Sequence, residues 1–112
     1  MAGLADERCA ALESGSPAAA PAELEELKAQ VPDWTVVSDG MDKLERSYTF
    51  GSFAEALAFT DSVGAIAEEQ GHHPQLTTEW GRTTVRWWTH AVGGLHRNDF
   101  IMAARTDALH EA

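Results

Sequence analysis

A single cysteine, Cys9, stands in the 112 residues. A lone thiol cannot close an intrachain disulfide, and it excludes a zinc cage built from thiolates. Long apolar runs are missing as well: nothing approaches the roughly 18 consecutive apolar residues of a membrane-spanning helix. Basic residues are few, 8 Lys and Arg against 18 Asp and Glu, for a formal charge of −10. Such a field repels phosphate, which argues against nonspecific binding to nucleic acid or to an anionic membrane. The opening residues show no basic stretch followed by an apolar one, so a cytoplasmic location is the expectation.

What is present suits one soluble globular domain. Hydrophobic residues make up 44% of the chain, with charge scattered among them, and the length is enough to bury a core without staples. Residues 1–20 are rich in Ala, Ser, Gly and Pro. They read as a weakly structured arm, with at most a short helical turn near Leu4–Leu12, ahead of a single domain over 21–112.

Pro21 suits the first turn of a helix, and Leu24, Leu27 and Val31 continue it at helical spacing until Pro32. Trp34–Val37 and Lys43–Phe50 read as strands joined at Ser38-Asp39-Gly40. Ser52-Phe53-Ala54-Glu55 is a capping box. The helix it opens carries Phe53, Ala56, Leu57, Thr60, Val63 and Ala67 on one stripe, flanked by Phe59 and Ile66. Gly71 supplies the left-handed residue that ends such a helix. Gln75–Trp80 and Thr83–His90 are two further strands, with Gly81-Arg82 as the turn. Leu95 and Phe100 are placed as a hydrophobic staple at the start of a last helix that runs to about Leu109. The order α-β-β-α-β-β-α implies an α+β fold.

Three of the five histidines fall between residues 72 and 90. Histidine exchanges protons near neutral pH without special tuning. Alternation along the last strand puts His90 on a face with Trp88, Arg86 and Thr84, and Val85 and Trp87 on the other. A hairpin at Gly81-Arg82 would bring His72-His73 beside His90, and Pro74 would hold His73 extended. Three unrelated histidines would need no explanation. A metal site is a second reading, but adjacent histidines on an extended segment point apart and no HExxH pair is present. Asp99, a possible fourth ligand, falls at N3 of the last helix, where a carboxylate commonly answers the N-terminal backbone. A small-molecule pocket is the third reading, favoured by four tryptophans, Trp34, Trp80, Trp87 and Trp88, which supply flat apolar surface.

The pattern Glu68-x3-His72-His73-Pro74-x5-Trp80-x9-His90-x8-Asp99 resembles the motif of the pterin-4a-carbinolamine dehydratases, and the similarity runs from about Leu24 to Leu109. The resemblance implies a four-stranded antiparallel sheet covered on one face by helices, assembled into homodimers or homotetramers. It also implies dehydration of 4a-hydroxytetrahydropterin to quinonoid dihydropterin, which recycles the pterin of aromatic amino acid hydroxylases, with no metal or organic cofactor. By position it assigns catalysis to His72, His73 and His90, with His72 and His90 expected as the acid–base pair. Substrate binding is carried over to Glu68, Pro74, Trp34, Trp88 and Thr89, and Asp99 is given a structural part. The chain departs from the family at Trp88, where a small polar residue is more usual, and at Leu12, where many arms carry a second cysteine. Relatives that act as protein-binding modules, a transcriptional dimerisation cofactor or an assembly factor for a carbon-fixing enzyme, supply the alternative function.

Overall fold

A computed structural model describes residues 3–12 and 15–111. Helix α1 (Pro21–Gln30) starts on its proline and buries Leu27, with Val31 just beyond its end. Strands β1 (Thr35–Asp39) and β2 (Met41–Thr49) pair antiparallel up to Asp39 and Met41, so the expected three-residue turn contracts to Gly40 at φ 80°.

Helix α2 (Phe53–Gln70) begins where Ser52 Oγ accepts the Glu55 N–H at 3.2 Å. The Glu55 carboxylate reaches Gly51 N at 2.8 Å, one residue further back than a capping box requires. The buried residues of α2 are Ala56, Phe59, Val63 and Ala67, whereas Phe53 and Leu57 lie 46% and 43% exposed, contrary to the expected stripe. The cause is the docking of the helix on the sheet. Thr83 Oγ1 donates to Ala56 O at 2.8 Å, and the Thr60 and Thr78 hydroxyls lie 2.6 Å apart. Those contacts turn the inner face toward Phe59 and Val63 and leave the first turn's apolar side chains outside. At the far end Gly71 is left-handed, φ 64°, and His72 N–H returns to Ala67 O at 3.1 Å. This closure satisfies a carbonyl that would otherwise be left open, and it aims the chain out of the helix at a fixed angle.

Strands β3 (Gln75–Glu79) and β4 (Arg82–Trp87) form the second hairpin. Glu79 pairs with Arg82, so the turn is Trp80-Gly81, one residue earlier than expected. Gly81 needs to be glycine: its φ is 73°, and a Cβ there would sit 3.1 Å from Phe50 O. Strand β4 stops at Trp87, before His90, which instead opens a 3-10 turn, His90–Val92. The face alternation therefore does not extend to His90. Thr89 bridges to Gly94 there and ends the ladder. Helix α3 (Arg97–Glu111) follows, with Leu95 and Phe100 both buried around its start.

The sheet order is β1-β2-β4-β3, all antiparallel. One face presents Leu44, Tyr48, Thr83, Val85 and Trp87, all buried beneath the helices with Trp34, Phe100 and Met102. The other carries polar cross-strand pairs such as Ser47–Thr84 and Arg86–Glu45. In the arm, regular structure among the described residues is limited to a 3-10 turn at Leu4–Asp6, yet Leu4 is 4% exposed and belongs to the core. Burying a leucine contributes about 1.5–3 kcal/mol, so the arm is anchored despite its composition.

Candidate active site

Gln75 pairs with Arg86, and the chain before β3 therefore runs beside the chain after β4. His72 and His73, leaving α2, meet Trp88 to Ala91, leaving β4. A cleft of about 620 Å³ opens between them, bounded also by Gln70, Gly71, Asn98 and the arm residues Cys9 to Leu12. That volume lies in the range of small-molecule sites, about 300–1,000 Å³. All three candidate catalytic histidines line it.

His72 is the most constrained of the three. Its side chain is 12% exposed, its ring stacks on Trp87 with planes 9° apart, and its Nε2 lies 2.7 Å from Asp99 Oδ1. Asp99 is fully buried on the first turn of α3. Its Oδ2 accepts the Thr89 hydroxyl at 2.7 Å and the His96 N–H at 2.9 Å. An ionised carboxylate only accepts, so His72 Nε2 carries a hydrogen and Nδ1 of the neutral ring keeps the lone pair. The helix-capping carboxylate thus also fixes the tautomer and orientation of His72 and holds Thr89 in place. This is the arrangement by which a carboxylate orients a catalytic imidazole.

His73, at the rim of the cleft, is 64% exposed, with Nε2 at 2.5 Å from the Glu68 carboxylate, itself 79% exposed. Solvent screening leaves such a pair little energetic weight. His90 is exposed at the start of its 3-10 turn, with Thr89 buried beside it. Trp88 is half-buried in the wall, and Lys43 Nζ sits 4.3 Å above its ring centroid, a cation–π contact that holds the indole from the open sheet face.

Glu68 and Pro74, carried over as substrate-binding residues, do not line the cleft. Glu68 partners His73 on the outer side of α2, and Pro74 leads the chain into β3. Trp34 is corrected more sharply. It is 1% exposed, and its indole N–H donates to both Asp107 oxygens at 3.0 and 3.1 Å. Asp107 is two turns past Asp99 on α3, about 12 Å along the axis, and also takes Arg46 at 2.7 Å and the Tyr48 hydroxyl. Trp34 is therefore a core residue tied to a polar hub remote from the three cleft histidines. Burial, and then the Asp107 carboxylate, push the Tyr48 phenol up, so it remains a donor to that hub.

The lining residues missed by sequence reasoning are Gln70, Gly71, Ala91, Asn98 and the arm wall. Nothing in an Ala- and Ser-rich segment signals a contact to α3 some 90 positions away. Cys9, which does carry chemistry, is half-buried and its thiol is pushed up to about 11 by desolvation, so it remains protonated near neutral pH. Among the described residues no group of three or more His, Cys, Asp or Glu side chains is placed to hold a metal ion.

The family model for pterin 4 alpha carbinolamine dehydratase matches residues 17–109. A relative from Chlorobium limicola that carries that family's name is 62% identical over 100 residues, 88% of each chain. A second, from Syntrophotalea carbinolica, is 51% identical over 99% of this chain and its own full length. A Brucella melitensis crystal structure titled as a transcriptional coactivator/pterin dehydratase superposes with a TM-score of 0.75 at 28% identity, covering 82% of this chain and 97% of that one. A pterin dehydratase-like protein described as a RuBisCO assembly factor in the alpha-carboxysome superposes with a TM-score of 0.58 at 29% identity, covering 69% and 88%. On the extent of these matches, and with the histidine cleft in place, the chain belongs to the pterin 4 alpha carbinolamine dehydratase family.

Proposed function

We propose that the protein dehydrates 4a-hydroxytetrahydropterin to quinonoid dihydropterin and water by acid–base catalysis from its histidines. The observation that carries this reading is the convergence of His72, His73 and His90 on one cleft, with His72 fixed by buried Asp99. In the reaction the N5 lone pair forms a double bond to C4a, the C4a–O bond breaks, and the departing hydroxyl takes a proton. The N5 proton is then lost to a base. His72 and His90 are the acid–base pair, and His73 orients the ring. Each contribution is worth about 10²–10⁴ in rate. Asp99 supports the positive charge that His72 gains whenever its ring is doubly protonated. Thr89, whose hydroxyl is committed to Asp99, shapes the wall rather than exchanging protons.

Stopped-flow dehydration of synthetic 4a-hydroxytetrahydropterin tests the assignment with His72→Ala and His90→Ala. Each is expected to lose about 10²–10⁴ in kcat, and near-wild-type rates in both would remove the histidines from the mechanism. A second reading, a non-catalytic module that binds another protein, is favoured by the exposed apolar side chains Phe53, Leu57 and, 73% exposed, Trp80. Absence of dehydration by the wild-type protein, with the fold intact, would turn the assignment to that reading. Membership of the family also makes a homo-oligomer the proposed assembly, which sedimentation of the purified chain would test.

A further inference from the structure

The family match begins at residue 17, yet one wall of the cleft is made by residues ahead of it. The arm reaches that position through a series of specific contacts. Leu4 is sunk in the core, and Arg97 holds the Glu7 carboxylate through two bonds of 2.8 Å. Arg105 binds Glu7 O from Nε and Nη2 at 3.0 and 2.5 Å. Asn98, 3% exposed, then pairs its side-chain amide with the Ala10 backbone, accepting from N and donating to O at 2.9 Å each. Gln70, from the end of α2, accepts the Cys9 N–H at 2.9 Å. A buried amide matched in both directions fixes the register of the strap as a strand partner would. The segment is thereby held as a wall, with the short side chains of Ala10 and Ala11 exposed.

We propose that this strap is the specificity wall of the site, selecting pterins whose C6 substituent is small and uncharged. The inference rests on the dehydratase reading. The histidine walls take the reacting atoms, C4a and N5, and C6 is bonded to N5. Its substituent must therefore be accommodated close beside them, and the strap is the wall that carries no histidine. Ala10 and Ala11 offer contact without bulk, and Leu12 without charge. No Lys or Arg lines the cleft, and the two arginines that pin the strap are committed to Glu7. Arg8, exposed just ahead of Cys9, is not among the lining residues, so an anionic substituent finds no countercharge in the wall itself, with the Asp99 carboxylate behind His72.

The test is equilibrium binding of pterin, 6-hydroxymethylpterin and 6-carboxypterin to the full chain, followed by the fluorescence anisotropy of each ligand. The Ala11 side chain makes none of the strap's bonds, so Ala11→Lys and Ala11→Phe leave the strap seated. The wild-type chain is expected to bind 6-carboxypterin more weakly than the other two. Ala11→Lys should then tighten 6-carboxypterin by roughly three- to fivefold, the worth of a partly exposed ion pair, with pterin itself within twofold. A gain of this kind cannot come from misfolding. Ala11→Phe should weaken 6-hydroxymethylpterin more than pterin. If all three ligands bind and neither variant changes their ranking, the strap is not the specificity wall. If the wild-type chain binds none of them, the dehydratase reading itself fails, and this inference falls with it.

Discussion

Replacing Asp99 by Asn tests the site at its most determined point. The side chain is fully buried and receives three donors: His72 Nε2–H, the Thr89 hydroxyl and the His96 N–H. Asparagine keeps the shape but has one acceptor oxygen where aspartate has two. The His96 N–H can only donate, so the amide oxygen is drawn to the Oδ2 side, which it shares with Thr89. The NH2 group then faces His72 Nε2. Two donors cannot meet at 2.7 Å, so the imidazole must shift its hydrogen to Nδ1 and lose the lone pair there. On the proposed mechanism the His72 ring would be present in the wrong tautomer, a defect worth up to about 10⁴ in kcat where a carboxylate orients a catalytic histidine. Where acid–base catalysis supplies the rate, a loss of about 10²–10³ in kcat is expected with KM little changed. Folding stability should fall by about 1.5–3 kcal/mol, the worth of a hydrogen bond to a charged group. Stopped-flow kinetics reads the first and denaturant unfolding the second, and nitrogen NMR of the His72 ring reports the tautomer directly. A variant with kcat within twofold of wild type, and its Nε2 hydrogen displaced, would refute the claim that Asp99 acts through the His72 tautomer.

The remaining predictions concern residues outside the proposed proton-transfer pair. With its thiol pushed up from 9.0 to about 11 by burial, Cys9 should alkylate about a hundredfold more slowly at pH 8 than an unperturbed thiol, because only the thiolate reacts. The rate should climb between pH 9 and 11, and brisk reaction at pH 8 would mean that the strap does not shield it. Trp34→Phe removes the indole donor from Asp107 and some core volume, and should cost about 1–3 kcal/mol of stability. Its kcat and KM should match the wild-type values; a rise in KM with stability unchanged would return Trp34 to the pocket.

Local chemistry made much of this protein legible without coordinates. Ser52 and Gly71 bound α2 through hydrogen bonds made within a few residues of each helix end, and the alternation of Leu44, Arg46 and Tyr48 against Lys43, Glu45 and Ser47 sets the two faces of β2. A positive-φ turn position, which favours glycine, placed the second hairpin to within one residue. The full spacing from Glu68 through the three histidines to Asp99, with the order of elements, carried the family resemblance, and the hairpin register converts that sequence separation into proximity. Other properties depend on which surfaces meet, and no short window contains that information. Docking through Ala56 and Thr60 rotated α2 and left Phe53 and Leu57 outside. Asp107 claimed Trp34 for the core, although an indole in a sequence is equally suited to a pocket. Asp99 reads in sequence as a helix cap because its His96 contact is local, whereas its bond to His72 spans 27 positions. The strap is the extreme case: composition made residues 1–20 an arm, and only Leu4, Asn98 and Arg105 in three dimensions made part of it a wall of the site.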